Sequence, residues 1–477
     1  MLKQRLNQLT FTRFFAVLVV IFFHGAGGIY YQAANFFPLA PLVRSATTAV
    51  TYLYALSGFV MALAHYRPQE RFSFETYWKA RFVRLYPLYI LAFLLTCAYY
   101  ADSIARIKLP KTLSNVFALQ AWIPAYSQSF NFPAWSVTVE FFFYLIFPLF
   151  AWLAARRSAR FLIWFSALFW ALSQFVHNVL WIFYFPAQDR FLIYFPVFHL
   201  SSFLLGAAAG VWYLREGQTQ KSNGWLLPLS VALTCLYVIY SPRMTGAPQG
   251  IQMMTGTLAP FLTVSILALA KDSTRLSAAL SQRGFIALGE ISYALYIFHI
   301  PFKWWYERLL AQASAAYWFD STYLPLFVLF SFFAHYAVDL PLRKPLQALM
   351  SRVSLPLVLV DFILLPAALY LSFRWRFGAD KEFSSYEDMM KLLFWLLLFI
   401  QTSLFALLGG FDLKSKTLLR SAALAAALAA LAGAASVYAG YRLGWFVNFP
   451  RSVLLFNGLL FLAPALLARY FLQKRAA

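Results

Sequence analysis

A chain of 477 residues that is 62% hydrophobic, 20% aromatic and only 12% charged, with a mean hydropathy of +0.66, has too little polar surface for a soluble globular domain. Its formal net charge of +22 falls in short clusters between apolar runs rather than along one amphipathic face. That pattern argues against nucleic acid as a partner and for membrane topology, with membrane lipid as the surface the cations meet. Cys97 and Cys235 both lie inside apolar runs, which argues against a disulfide framework or a zinc cluster.

Taken in order, apolar runs of spanning length fall at roughly 11–29, 45–65, 85–101, 137–154, 161–183, 191–213, 224–241, 252–270, 285–305, 322–342, 354–373, 387–409, 420–440 and 452–471. They predict an all-α polytopic membrane protein with about 14 transmembrane helices. Basic clusters such as Arg156, Arg157 and Arg160, or Lys271, Arg275 and Arg283, alternate with aromatic and proline-rich connections such as Asn131-Phe132-Pro133-Ala134-Trp135. By the positive-inside rule both termini are cytoplasmic, and the first helix is retained, since no small-residue processing site follows it. The segment with Arg374, Arg376, Lys381 and Lys391 is more basic than this topology favours on the outside. After about residue 350 polar residues within the runs thin out and an alanine-rich stretch, 421–435, reads as a packing helix. The expected division is a ten-helix core, 1–350, and a four-helix extension, 351–477.

The first run, TFTRFFAVLVVIFFHG from Thr10, carries Arg13 near its start and His24 near its end. Their separation of eleven residues, at about 100° each, returns to within about 20° of one helix face with a rise of roughly 16 Å. An ionisable group inside a membrane is costly and hence a functional candidate. The alternative is a snorkelling arginine with a helix-packing histidine.

Arg81 and Arg84, in RFVRLYP before the third run, project two planar guanidinium forks of the kind that hold phosphate, or simply anchor the helix at the interface. In PAWSVTVEFFF, Ser136 and Glu140 are four apart on one face, and Glu140 is followed by three phenylalanines, so it must point into the bundle or a wet cavity. In GEISYALYIFHIP, Ser292, Tyr296 and His299 fall at i, i+4 and i+7 as one polar stripe. His24, Glu140 and His299 are thereby expected at one depth. His65, His177, His199 and His335 read as interfacial or packing histidines. No HExxH, no cysteine cluster and no Walker glycine loop is present, so neither a catalytic metal nor an ATP-driven pump is expected.

These pieces, together with Ser57-Gly58-Phe59 in the second run, resemble in order the acyltransferase-3 family of integral membrane acyltransferases, over residues of about 5–345. The sequence departs from the family in having Leu9-Thr10-Phe11-Thr12 where an aspartate-glycine is usual, and Asp339 where a glutamate before proline is common. It also lacks an esterase-like domain after the core.

The resemblance implies transfer of an acyl group, most often acetyl, from cytoplasmic acyl-CoA to a hydroxyl of an extracytoplasmic or lipid-linked glycan. It points to a bacterial-type inner membrane and to no metal. Arg81 and Arg84, with Arg13 further along, would hold the coenzyme A donor, and His24 would take the acceptor proton with Glu140 orienting it. His299, Tyr296, Ser292, Trp135 and Ser136 would position the acceptor or the oxyanion. A transporter or flippase of lipid-linked saccharide also suits the helices and buried ionisable groups, but the chain has no matching halves or paired broken helices.

Overall fold

The computed structural model describes residues 6–25, 41, 45–67, 72–100, 109–184, 189–217, 224–245, 256–312, 319–378, 387–442 and 450–476. Lys381 and the stretches 26–29 and 252–255 of two expected spans lie outside the described residues. In chain order the α-helices are α1 (Asn7–Phe23), α2 (Ala46–His65), α3 (Phe74–Tyr99), α4 (Leu109–Val116), α5 (Trp135–Arg156), α6 (Ala159–Phe183), α7 (Arg190–Tyr194), α8 (Leu200–Trp212), α9 (Leu226–Thr245) and α10 (Ala259–Ala270). They continue as α11 (Arg275–Leu280), α12 (Arg283–Glu290), α13 (Ser292–Gln312), α14 (Phe319–Phe333), α15 (Leu340–Arg352), α16 (Leu355–Phe377), α17 (Glu387–Leu408), α18 (Leu418–Arg442) and α19 (Arg451–Ala476). There is no strand among the described residues, as expected where hydrocarbon offers backbone groups no partner and each segment must bond to itself.

Among the described residues nine helices are long and apolar enough to cross a bilayer, and α12 with α13, bent by 52°, would make a tenth span. Four shorter apolar helices, α1 among them, have 10–17 residues. The chain is therefore an all-helical, multi-pass membrane protein, and the expected count of about 14 spans is not confirmed. Helix occurs within every apolar run, but caps and turns end it where the hydropathy does not. At 17 residues α1 is about 25 Å long, against a hydrocarbon core of about 30 Å.

The chain divides into two compact units. The first comprises Met1–Phe74, Leu85–Tyr100 and Ala118–Leu340. Its core includes Leu9 of α1, Ala55, Leu56 and Phe59 of α2, and Ile266 and Leu269 of α10. Around that core α6 turns Trp164, Leu168 and Phe175 outward, the pattern of a lipid-facing helix.

The second unit comprises Glu75–Arg84, Ala101–Phe117 and Pro341–Ala477. It thus takes in the first turns of α3, which the division at residue 350 assigns to the core. The reason is local: the Glu75 carboxylate accepts the Leu355 backbone N–H at 3.3 Å, satisfying one of the orphan donors that begin α16. Leu357, Leu369, Phe373, Leu397, Phe405 and Phe461 form its core. The alanine-rich α18 buries Leu418, Ala422, Ala425, Ala429 and Gly433, a narrow stripe of mostly small side chains against which neighbouring helices close.

Candidate active site

The site begins where α1 stops. His24 is its C-cap, with its N–H donating to the Val20 carbonyl at 3.2 Å, and Gly25 follows at φ +75° with its N–H donating to Phe22 at 3.1 Å. A residue in the left-handed region ends a helix, and glycine adopts it without strain. The imidazole consequently sits at a helix end, half-buried, instead of within the last helical turn.

A second close approach brings α13 to it. An added Cβ on Gly289 would lie 2.1 Å from the Thr10 carbonyl oxygen, so only glycine lets the end of α12 rest on α1. The chain then bends at Ile291, and α13 carries His299, 2% exposed, up to His24. The two rings stack with centroids 5.0 Å apart and planes 16° from parallel, and His24 Nδ1 lies 2.8 Å from His299 Nε2.

The tautomers follow from the partners. His299 Nδ1 lies 2.6 Å from the Tyr296 carbonyl oxygen, which can only accept, so Nδ1 carries the proton. In a neutral ring His299 Nε2 is then an acceptor, and the hydrogen on the shared bond belongs to His24 Nδ1. What remains is His24 Nε2 with its lone pair available, a base whose other nitrogen is already committed. Lys303, one turn beyond His299, donates to the His24 carbonyl at 3.1 Å and lies 3.9 Å from Glu307.

The wall beside this pair is the short 3₁₀ turn Phe132–Ala134. Phe132 sets its ring edge-on to His24 at 4.9 Å. Asn131 Nδ2 donates to the Ile297 carbonyl at 2.8 Å, and the Tyr296 hydroxyl donates to Pro133 at 3.2 Å. Ser136 Oγ donates to the same Pro133 carbonyl at 3.0 Å, and Gln120 Nε2 to Ala134 at 3.0 Å. The first two bonds fasten this segment to α13 and the other two tie it to Ser136 of α5 and to Gln120, so Tyr296 and Ser136 are engaged in shaping the site. Trp135 packs against the rings of Tyr194 and His199 at 5.0 and 5.2 Å. Ser292 is buried at the start of α13, and Arg13 is half-buried on α1.

Glu140 takes a different place from the one expected. Its Oε1 accepts from the Tyr144 hydroxyl at 2.5 Å and from Ser57 Oγ at 3.4 Å, and it makes no hydrogen bond to His24. Two hydroxyls, one a turn along α5 and one from α2, hold the carboxylate on their side of the bundle. His299 stands where the carboxylate of a catalytic triad would.

Arg81 and Arg84 lie in the second unit, both half-buried, with the Arg81 guanidinium 5.9 Å from the Tyr77 ring. Phe132 and Lys303 are the site's unforeseen members. Lys303 follows His299 by four residues on one helix face, a signal the sequence does carry. Nothing local marks Phe132 as a neighbour of His24. Among the described residues no group of three histidine, cysteine, aspartate or glutamate side chains could hold a metal ion.

The fold and the site define a multi-pass membrane protein whose helix bundle brings two imidazoles together. Residues 6–340 match the family described as an acyltransferase domain, and the chain belongs to that acyltransferase-3 family. It is 28% identical over 330 residues, 64% of this chain and 81% of the relative, to the acyltransferase MdmB of Streptomyces mycarofaciens. It is 27% identical over 298 residues, 60% and 80% of the two chains, to a protein named as an acetyltransferase, ORF330 of Acidianus two-tailed virus. No solved structure is significantly similar. The chain is thus a membrane-embedded acyltransferase.

Proposed function

We propose that the protein moves an acyl group, acetyl in the first instance, from acyl-CoA to a hydroxyl of an extracytoplasmic or lipid-linked glycan, in a bacterial-type inner membrane with both termini cytoplasmic. The observation that carries this reading is the 2.8 Å bond between His24 and His299, which leaves one imidazole nitrogen as an oriented base. An alcohol is too weak a nucleophile to attack a thioester unaided. His24 Nε2 takes its proton as the oxygen bonds to the thioester carbonyl carbon. The tetrahedral oxyanion then collapses, the carbon–sulfur bond breaks, and the imidazolium returns the proton to the leaving thiolate.

His299, accepting from His24 Nδ1–H, holds the ring in the productive tautomer and spreads the charge that develops on it. Phe132 excludes water from one side of that ring, and Trp135 and Ser136, at the start of α5, are assigned to the acceptor side of the site. Ser292 and Tyr296 complete that wall from α13. Arg81 and Arg84 engage the phosphates of coenzyme A, as planar cationic forks suit them, and Arg13 serves the donor further along its path. Glu140, bonded to Ser57 and Tyr144, acts on the shape and polarity of the bundle interior rather than on the proton.

The test is to incubate the purified protein with radiolabelled acetyl-CoA and candidate glycans. Label recovered in an ester on the acceptor is the expected result. Movement of the acceptor across vesicles without any acyl donor would point to transport instead.

A further inference from the structure

The second unit holds a cavity of about 860 Å³ that the proposed reaction leaves unused. It lies wholly within that unit, between the first turns of α3, the end of α15, the 412–416 loop and Gln473 of α19. Its size falls among cavities that take nucleotide-sized ligands, about 300–1,000 Å³. Four cations line it, Lys79, Arg352, Lys414 and Lys416, against two carboxylates, Glu75 and Asp412.

The carboxylates are partly committed. Glu75 pairs with Lys79 at 2.7 Å and also accepts the Leu355 N–H, so that pair cancels. Asp412 Oδ1 accepts the Lys414 backbone N–H at 3.1 Å, which holds its own loop. Arg352, Lys414 and Lys416 are exposed, and none of them has a carboxylate at ion-pair distance among the described residues.

The loop that carries the two lysines is fixed from behind. The buried Arg469 donates from Nε to Gly410 at 2.9 Å, and Gln473 donates to Ser415 at 2.8 Å and to Leu413 at 3.4 Å. The Ser354 N–H donates to Phe411 at 2.9 Å. Arg469 is itself held by two bonds to Asp361, at 2.9 and 2.7 Å. Cations that only anchor a helix at the membrane surface need no such scaffold, because flexible stems let them snorkel. A rigid loop that keeps two lysines beside Arg352 at one cavity has accepted their mutual repulsion, and an anion with several charged oxygens relieves it.

We infer that this cavity is a binding site for a phosphate-bearing ligand of nucleotide size, with Arg352 as the planar fork and Lys414 and Lys416 as point charges. The phosphate has two sources, a soluble nucleotide or the headgroup of an anionic phospholipid, and the inference does not depend on the acyl-transfer chemistry. It gives the segment beyond residue 340, outside the family match, a ligand of its own.

The test uses the full-length protein in nonionic detergent, with equilibrium dialysis of two probes, adenosine 3′,5′-bisphosphate and a short-chain phosphatidylglycerol. One of them is expected to bind, with affinity falling at least about tenfold in the Lys414→Ala/Lys416→Ala variant and in Arg352→Gln, and falling with added salt. The probe that responds identifies the source. The substituted side chains are exposed, and an unchanged melting temperature checks that the fold is kept. If both probes bind these variants and the wild type equally, or neither binds the wild type, the site is overturned. Acyl transfer measured on the same samples keeps that failure separate from a failure of the proposed reaction.

Discussion

His24 and His299 stand 275 residues apart in the chain and share a hydrogen bond of 2.8 Å. The bond has a direction, because the Tyr296 carbonyl claims the other nitrogen of His299. Everything proposed for the proton follows from that direction.

His299 is a positioning residue, so its loss should act on the chemical step and spare the donor. In His299→Ala the turnover number is expected to fall about a hundred- to ten-thousandfold, with little change in the donor's KM. Steady-state kinetics with varied acyl-CoA check this. His299→Gln, whose amide oxygen can accept from His24 Nδ1–H, should recover part of the loss, which a purely structural role would not produce.

The close contact at Gly289 is needed to bring the pair together. Gly289→Ala places a carbon where the Thr10 carbonyl oxygen already sits, at 2.1 Å, and the helices must separate. Overpacking of this sort costs about 1–3 kcal/mol. A lowered melting temperature in detergent, together with reduced turnover, is the expected result.

Much of this arrangement was legible in the sequence, and the limits were physical. Apolar runs located the helices, and the i, i+4, i+7 stripe of Ser292, Tyr296 and His299 included the two residues of α13 that meet His24 and Pro133. Depth along a helix can be counted from sequence, which is why His24, Glu140 and His299 were expected together. Lateral position in the bundle cannot be counted, and it is decided by contacts such as Gly289 on Thr10 and the hydroxyls of Ser57 and Tyr144 around Glu140. The count of about 14 spans is not confirmed: among the described residues nine or ten helices are long and apolar enough, and four more apolar helices are shorter. Hydropathy records where a helix is tolerated, whereas a left-handed Gly25 records where one ends.

The ion pair of Arg469 and Asp361 is the structural counterpart in the second unit. Arg469 is 0% exposed, and its guanidinium also faces the rings of Phe405 and Phe411 at 4.5 and 5.4 Å. Removing one partner strands a buried charge, so Asp361→Ala should destabilise this unit by about 3–5 kcal/mol. The double variant Asp361→Leu/Arg469→Met should regain most of that loss. Chemical denaturation of the wild type and these two variants measures both numbers.

Arg81 and Arg84 are proposed to hold the donor. Arg81→Ala with Arg84→Ala is expected to weaken acyl-CoA binding by at least about tenfold while the protein still inserts and folds. Isothermal titration with a non-hydrolysable acyl-CoA analogue checks it, and an unchanged affinity would count against a phosphate clamp.

The decisive measurement is single-turnover acetyl transfer by His24→Ala in the full-length protein, with donor affinity measured on the same sample. Loss of at least about a hundredfold in rate, with donor still bound and the fold intact, is the outcome that a base at His24 Nε2 requires. Transfer at close to the wild-type rate would mean that the acceptor's proton leaves by another route and that the paired imidazoles serve only to join two helices.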